Sequence, residues 1–310
     1  MRPRQILLFT SLMLMLTGIG STLPAKGEIR SGEIHFADRL EAAGILSDMK
    51  TDPYLSKLGR MELLCRIGSG SAQSVSEGSD QAYKKKETKR LRVQLSQIYR
   101  DNRLDFTASE KQTIRWFVGQ IMERVQPAYP VFSKLPWKFI KVSSRVEGGL
   151  PHTRADYIIF PKMVCTYLER ITDVSKKELS HMQRQFVDLM IHEQLHVFQR
   201  INPGIFDALY TNHWGFIKAD TIVRGPWLKK HELHNPDDVH QFWVFPIKSS
   251  SGIRFIWPTI VLAEGNRPKR MGSDFRMIGI DLIKNGDRKF LAEEKNGKPG
   301  FAPLSSIKPY

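Results

Sequence analysis

Cysteine is almost missing from this chain. The 310 residues hold only Cys65 and Cys165, which excludes a disulfide-stapled scaffold and leaves either one bridge or two buried thiols in the apolar contexts Leu63-Leu64-Cys65 and Met163-Val164-Cys165. Long apolar runs are missing too. The apolar run from Ile6 to about Gly20 is shorter than the roughly 20 residues a spanning helix needs, so no stable membrane span is expected. Acidic residues are in deficit, 32 against 47 Lys and Arg, for a formal net charge of +15. The densest basic stretch, Lys84-Lys85-Lys86-Glu87-Thr88-Lys89-Arg90-Leu91-Arg92, has no interleaved aromatic residue on which a base would stack. It reads as a solvated helix face, and no nucleic-acid partner is expected. No internal repeat is found.

What is present begins with a targeting signal. Met1-Arg2-Pro3-Arg4, the apolar run and then Pro24-Ala25 follow the order of a secretory signal peptide, assigned to residues 1–25 with cleavage between Gly20 and Gly27. The mature protein is therefore expected to be secreted or periplasmic. Loss of Arg2 and Arg4 lowers the net charge by two, to +13, which favours an anionic envelope surface as a neighbour. With 41% hydrophobic residues the chain can bury a real core.

Hydrophobic spacing divides the remainder into an N-terminal helical region, 26–92, with a flexible Gly/Ser-rich loop at 68–80, and a larger domain, 93–310. Helices are expected over Phe36–Leu46, Arg60–Ile67, about Lys85–Tyr99, and from the capping box at Thr107-Ala108-Ser109-Glu110 to Pro127. Trp137–Val142 and Tyr157–Phe160 read as strands. A second capping box, Ser175-Lys176-Lys177-Glu178, opens a long amphipathic helix that ends at about Arg200, before Asn202-Pro203-Gly204. Further strands are expected at Phe242–Phe245, Ile253–Ala263 and Met277–Ile283. The fold class is α+β, with strands concentrated in the last third.

Near the end of the long helix stands His192-Glu193-Gln194-Leu195-His196. Residues four apart lie one turn above each other, so both imidazoles project from one face toward a single ion, with Glu193 beside them. Zinc accepts neutral imidazole nitrogens, keeps an open position for water and lowers that water's pKa. The pentapeptide on its helix resembles the zincin superfamily of metallopeptidases. That resemblance implies Zn2+ held by His192 and His196, Glu193 as general base, a peptide or protein substrate, and an edge strand, Ala155 to Phe160, above the active helix. A looser likeness covers about Trp137 to Asp238. Glu147-Gly148-Gly149-Leu150-Pro151-His152-Thr153-Arg154, Val197-Phe198-Gln199-Arg200, Phe206-Asp207-Ala208-Leu209-Tyr210 and Trp214-Gly215-Phe216 are similar to a little-characterised family of exported bacterial zincin-like proteins.

The third ligand is open. Gln199 and Asn202 stand where a metzincin has Gly and His, so that subclass is disfavoured. Asp207, Glu232, Glu264, Glu293 and Glu294 are the downstream acid candidates, with Glu264 the first choice, and a ligand carried on a segment beyond Tyr310 is an alternative. His152, Arg154, Tyr210 and His213 are the candidates for stabilising transition-state charge opposite the metal. Asp237 and Asp238 read as turn residues, and Trp214 and Phe216 as core. The reading is an exported zinc-dependent hydrolase of peptide amide bonds. Its rivals are a cell-wall peptide amidase, an inactive zincin fold kept as a binding module, and an envelope protein that binds anionic polymers.

Overall fold

The computed structural model describes residues 33–50, 52–68, 81–124, 128–130, 135–171, 179–238, 242–249, 252–262 and 275–304. The expected signal peptide and almost all of the 68–80 loop lie outside the described residues. Strand β1 (Ile34–Phe36) precedes α1 (Arg39–Ser47), α2 (Tyr54–Lys57), α3 (Arg60–Ile67) and α4 (Gln81–Asp101). After β2 (Arg103–Leu104) come α5 (Ala108–Arg124), β3 (Trp137–Val142), β4 (His152–Arg154) and β5 (Tyr157–Pro161). Then follow α6 (Lys162–Arg170), α7 (His181–Ile201) and α8 (Pro203–Ala208). The protein is α+β.

The first sheet has the order β1-β3-β5-β4, with β2 also on β3. β3 is parallel to β1 and β5, and β4 is antiparallel to β5. Period-two alternation splits its side chains between two cores. Trp137, Phe139, Ile158 and Phe160 meet Phe117 of α5 and Phe186 and Met190 of α7. Ile140, Val142 and Ile159 on the other face meet Leu46, Leu55, Leu63 and Leu95 from α1 to α4. Helices therefore cover both faces, and the near-continuous apolar runs of β3 and β5 follow from that.

The division at residue 92 is corrected by this packing. Position 92 lies inside α4, β1 is a strand of the central sheet, and the N-terminal helices share a core with β3 and β5. On α4 the basic stretch does face solvent: Lys85, Lys86, Lys89 and Arg90 are exposed while Leu91 is buried.

The first capping box forms as expected. Glu110 N donates to Thr107 Oγ1 at 3.1 Å and Thr107 N to Glu110 Oε2 at 2.8 Å. The second is displaced. Residues 175–178 lie outside the described residues, and the long helix α7 is capped by Ser180, whose Oγ accepts from Gln183 N at 3.2 Å while Gln183 Oε1 accepts from Ser180 N at 2.8 Å. A Gln at the third helical position performs the reciprocal bond as a Glu would.

The C-terminal part contains β6 (Ile217–Ala219), β7 (Thr221–Arg224), α9 (Pro226–His231), β8 (Glu232–Leu233), β9 (Phe242–Ser249), β10 (Gly252–Leu262), β11 (Phe275–Lys284) and β12 (Lys289–Ala292). A second sheet runs β6-β9-β10-β11-β12-β7, with β8 on β10, and Val244, Trp257, Ile280 and Phe290 are in its core. Cys65 and Cys165 are not joined in a disulfide, and Cys165 is buried beside α5 and α7. Among the described residues, no helix is long and apolar enough to cross a membrane.

Candidate metal and substrate site

α7 is held between two cores. Phe186, Met190, Ile191 and Val197 face the first sheet, while Leu195 and Phe198 pack with Phe206 and Leu209. The remaining stripe carries His192, His196 and Gln199, each half-buried. The two imidazole Nε2 atoms stand 3.1 Å apart, with the rings edge to face. Two nitrogens on one tetrahedral zinc, each at about 2.0–2.1 Å, are separated by about 3.4 Å. The pair therefore fits that donor arrangement. Burial, with His196 close by, drives the His192 pKa down to about 4, so it is a neutral donor at ordinary pH.

His196 is oriented from behind. Its Nδ1 lies 2.9 Å from Gln199 Oε1, and Gln199 Nε2 donates to Tyr210 Oη at 2.7 Å. With Nδ1–H given to the amide oxygen, the Nε2 lone pair is left toward the shared position. Tyr210 reaches this point because α8 runs into a π-helical turn, Leu209–His213, left through Gly215 at φ 69°. Burial pushes the Tyr210 hydroxyl up to about 12. Its own proton is not used in the bond with Gln199, so Tyr210 can donate hydrogen bonds at neutral pH.

Glu193 is 3% exposed, and its Oε2 has no hydrogen-bond partner among the described residues. Burial, reinforced by the Asp237 carboxylate, holds its pKa well above the usual range. A buried carboxyl lacking full satisfaction is costly and is found where chemistry requires it.

The other expected residues divide. Arg154 does not face the cleft: it is fully buried on β4, donating from Nε to Asp52 Oδ2 at 2.6 Å, with its guanidinium 4.9 Å from the Tyr54 ring centroid. His152 is also buried, with Nδ1 3.0 Å from Leu150 O, and burial lowers its pKa. His213 is exposed on the π turn. Asp207 is paired with Lys218, Glu232 with Arg224, and Glu293 with Lys295, while Glu294 caps α9 through Trp227 N and Leu228 N. Glu264 lies outside the described residues. Among the described residues no third His, Cys, Asp or Glu joins His192 and His196 in a metal-holding group.

The strand above the helix is also corrected. β5 is paired on both sides, by β3 and β4, so the free edge belongs to β4. That edge is already engaged: Thr153 N and Oγ1 donate to Asp237 Oδ1 at 2.6 and 2.9 Å. Arg200 of α7 binds the same place, donating to Ala155 O at 2.7 Å and to Thr153 Oγ1 and Pro236 O at 3.0 Å each. The segment holding Asp237 is fixed at its other end by His234, which is hydrogen-bonded to Glu62, itself paired with Arg66. Arg66 also binds Glu147, which takes φ 47° and accepts from the Tyr54 and Tyr99 hydroxyls. These bonds hold a non-glycine residue in the left-handed region.

Between α7 and the second sheet lies a cavity of about 640 Å³, bordered by His196, Gln199, Tyr210 and Trp214 on one side and Trp243 and Thr259 on the other. Trp214, expected in the core, is thus at the cavity, as is Phe216. No protein family, curated protein or solved structure matches this chain. The chemical reading of the site rests on the chain's own residues.

Gln199, Arg200 and Asp237 carry more of the site than their sequence reading indicated. Gln199 and Arg200 follow His196 by three and four positions, and that helical spacing is a usable signal. Asp237 is some forty residues downstream of His196, and no local pattern points to it.

Proposed function

We propose that the chain is an exported zinc-dependent hydrolase of peptide amide bonds, with His192 and His196 as metal ligands and Glu193 as general base. The observation that carries this reading is the 3.1 Å approach of the two Nε2 atoms beside a buried, incompletely bonded Glu193. Zinc, when bound, supplies Lewis acidity toward a carbonyl and toward an attacking water. Glu193 accepts the water's proton and returns it to the departing nitrogen, a task suited to a carboxylate whose proton affinity is raised by burial. Tyr210 holds Gln199, which holds His196. It is also the one expected transition-state stabiliser that borders the cavity.

Excess basic charge on the chain favours a substrate in an anionic envelope, which makes cell-wall peptide the nearest alternative to unfolded protein. A second reading, an inactive zincin fold that serves as a binding module, is favoured by the lack of a third ligand among the described residues. Glu193→Gln separates activity from binding. It should reduce turnover of unfolded protein or of purified cell-wall peptide by orders of magnitude while zinc content stays the same. Full activity in that variant would remove Glu193 from its role.

A further inference from the structure

The cavity beside His196 has a composition of its own. Tyr210, Trp214, Phe216 and Trp243 form one contiguous aromatic group, with centroid separations of 5.2 Å for Tyr210 to Trp214, 4.9 Å for Tyr210 to Trp243 and 6.5 Å for Phe216 to Trp243. Phe242 and Trp257 make a second pair, 5.7 Å apart, on the same cavity. Except for Trp257 these rings are only half-buried, so part of each is open to the cavity.

Charges around it cancel. Arg224 pairs with Glu232, His234 with Glu62, Asp237 is bonded to Thr153 within the field of the Arg200 guanidinium, and Lys57 and Asp238 attract one another. Away from the His192–His196 face the wall therefore offers ring faces and hydrogen-bonding groups rather than a net charge, which suits an uncharged ligand. Polar acceptors and donors remain interleaved with the rings, from Asn235, Asp237, Asp238 and Thr259.

Size narrows the occupant. A volume of about 640 Å³ matches roughly twenty waters at ~30 Å³ each, far more than a single amino-acid side chain fills. A lone aromatic side chain would also desolvate the polar rim without bonding to it, at a cost for each orphaned group. A sugar ring offers both surfaces the cavity asks for: flat C–H faces for the aromatic groups and hydroxyls at the rim for carboxylate, amide and hydroxyl partners.

The geometry points to a binding subsite for a short uncharged oligosaccharide, placed so that a peptide attached to it runs toward His192 and His196. The second half of that statement rests on the hydrolase reading, but sugar binding itself needs no metal. The test uses the full mature chain and an uncharged tetramer of N-acetylglucosamine. Three of the chain's six tryptophans border the cavity, so intrinsic fluorescence is a direct readout, with calorimetry beside it. Saturable binding is expected, equal with and without a chelator, and weakened about tenfold or more in Trp214→Ala through loss of one stacking surface. Should that variant not fold, competition on the wild type decides: the tetramer should displace, and not be displaced by, N-acetyl-phenylalaninamide. No saturable sugar binding, unchanged affinity in a folded Trp214→Ala, or preference for the aromatic amide would each overturn the proposal. Loss of zinc chemistry alone would leave it standing.

Discussion

His196 Nδ1 lies 2.9 Å from Gln199 Oε1, and the same amide donates to Tyr210 Oη, so one side chain links a metal-ligand candidate to the cavity wall. Groups behind metal-binding histidines fix the tautomer and ring orientation, and their loss typically weakens metal affinity by about 10–100-fold. Gln199→Leu should show a loss of that size in competition with a chromophoric chelator, with the helix content unchanged. Equal affinity in the variant would mean that the imidazole is oriented without help.

Arg154 offers a contrast between two roles. Its side chain and that of its partner Asp52 are almost wholly buried, at 0% and 6% exposure. Burial works to raise the Asp52 pKa, yet the Arg154 charge holds it below the usual range. Removal of one partner leaves an uncompensated buried charge, so Arg154→Ala should lose about 3–5 kcal/mol of stability. Denaturant titration measures this. A variant of normal stability that loses only turnover would return Arg154 to the transition-state role expected from the sequence.

The Glu62–His234 pair sets a pH dependence whose sign can be worked out. For Glu62, burial opposes ionisation, but the hydrogen bond from His234 and the charges of Arg66 and His234 prevail and the pKa falls below 4.5. That stabilisation is present above pH 4.5 and is lost as pH drops through the folded value. For His234, burial also opposes the charged form, and Glu62 outweighs it, raising the pKa above 6.5. That part is complete below pH 6.5 and is lost as pH rises through the folded value. The pair therefore contributes fully between about pH 4.5 and 6.5. Urea midpoints of the wild type minus those of His234→Gln should be largest in this window and shrink on either side; a difference independent of pH would contradict the assignment.

Legibility from sequence followed the range of the interactions. The Thr107–Glu110 box, the strands Trp137–Val142 and Tyr157–Phe160, the latter one residue longer in the structure, and the four-residue spacing of His192 and His196 are local patterns, and each is readable. Ser180 was missed as the cap of α7 because Ser175–Glu178 offered a similar box five residues earlier, and a Gln took the reciprocal role. Arg154 was misplaced because its partner, Asp52, is 102 positions away. The edge of β4, closed by Asp237 from 84 positions downstream, is a tertiary fact with no local signature. The aromatic cavity likewise assembles Tyr210 and Trp214, on and just after the π-helical turn, with Trp243 and Trp257 from the second sheet.

Zinc content of the purified mature protein, compared with a variant lacking both His192 and His196, tests the central claim most directly. The account predicts about one zinc per wild-type chain and none in a variant that remains folded. A folded wild type without zinc, even after incubation with the metal, would contradict it.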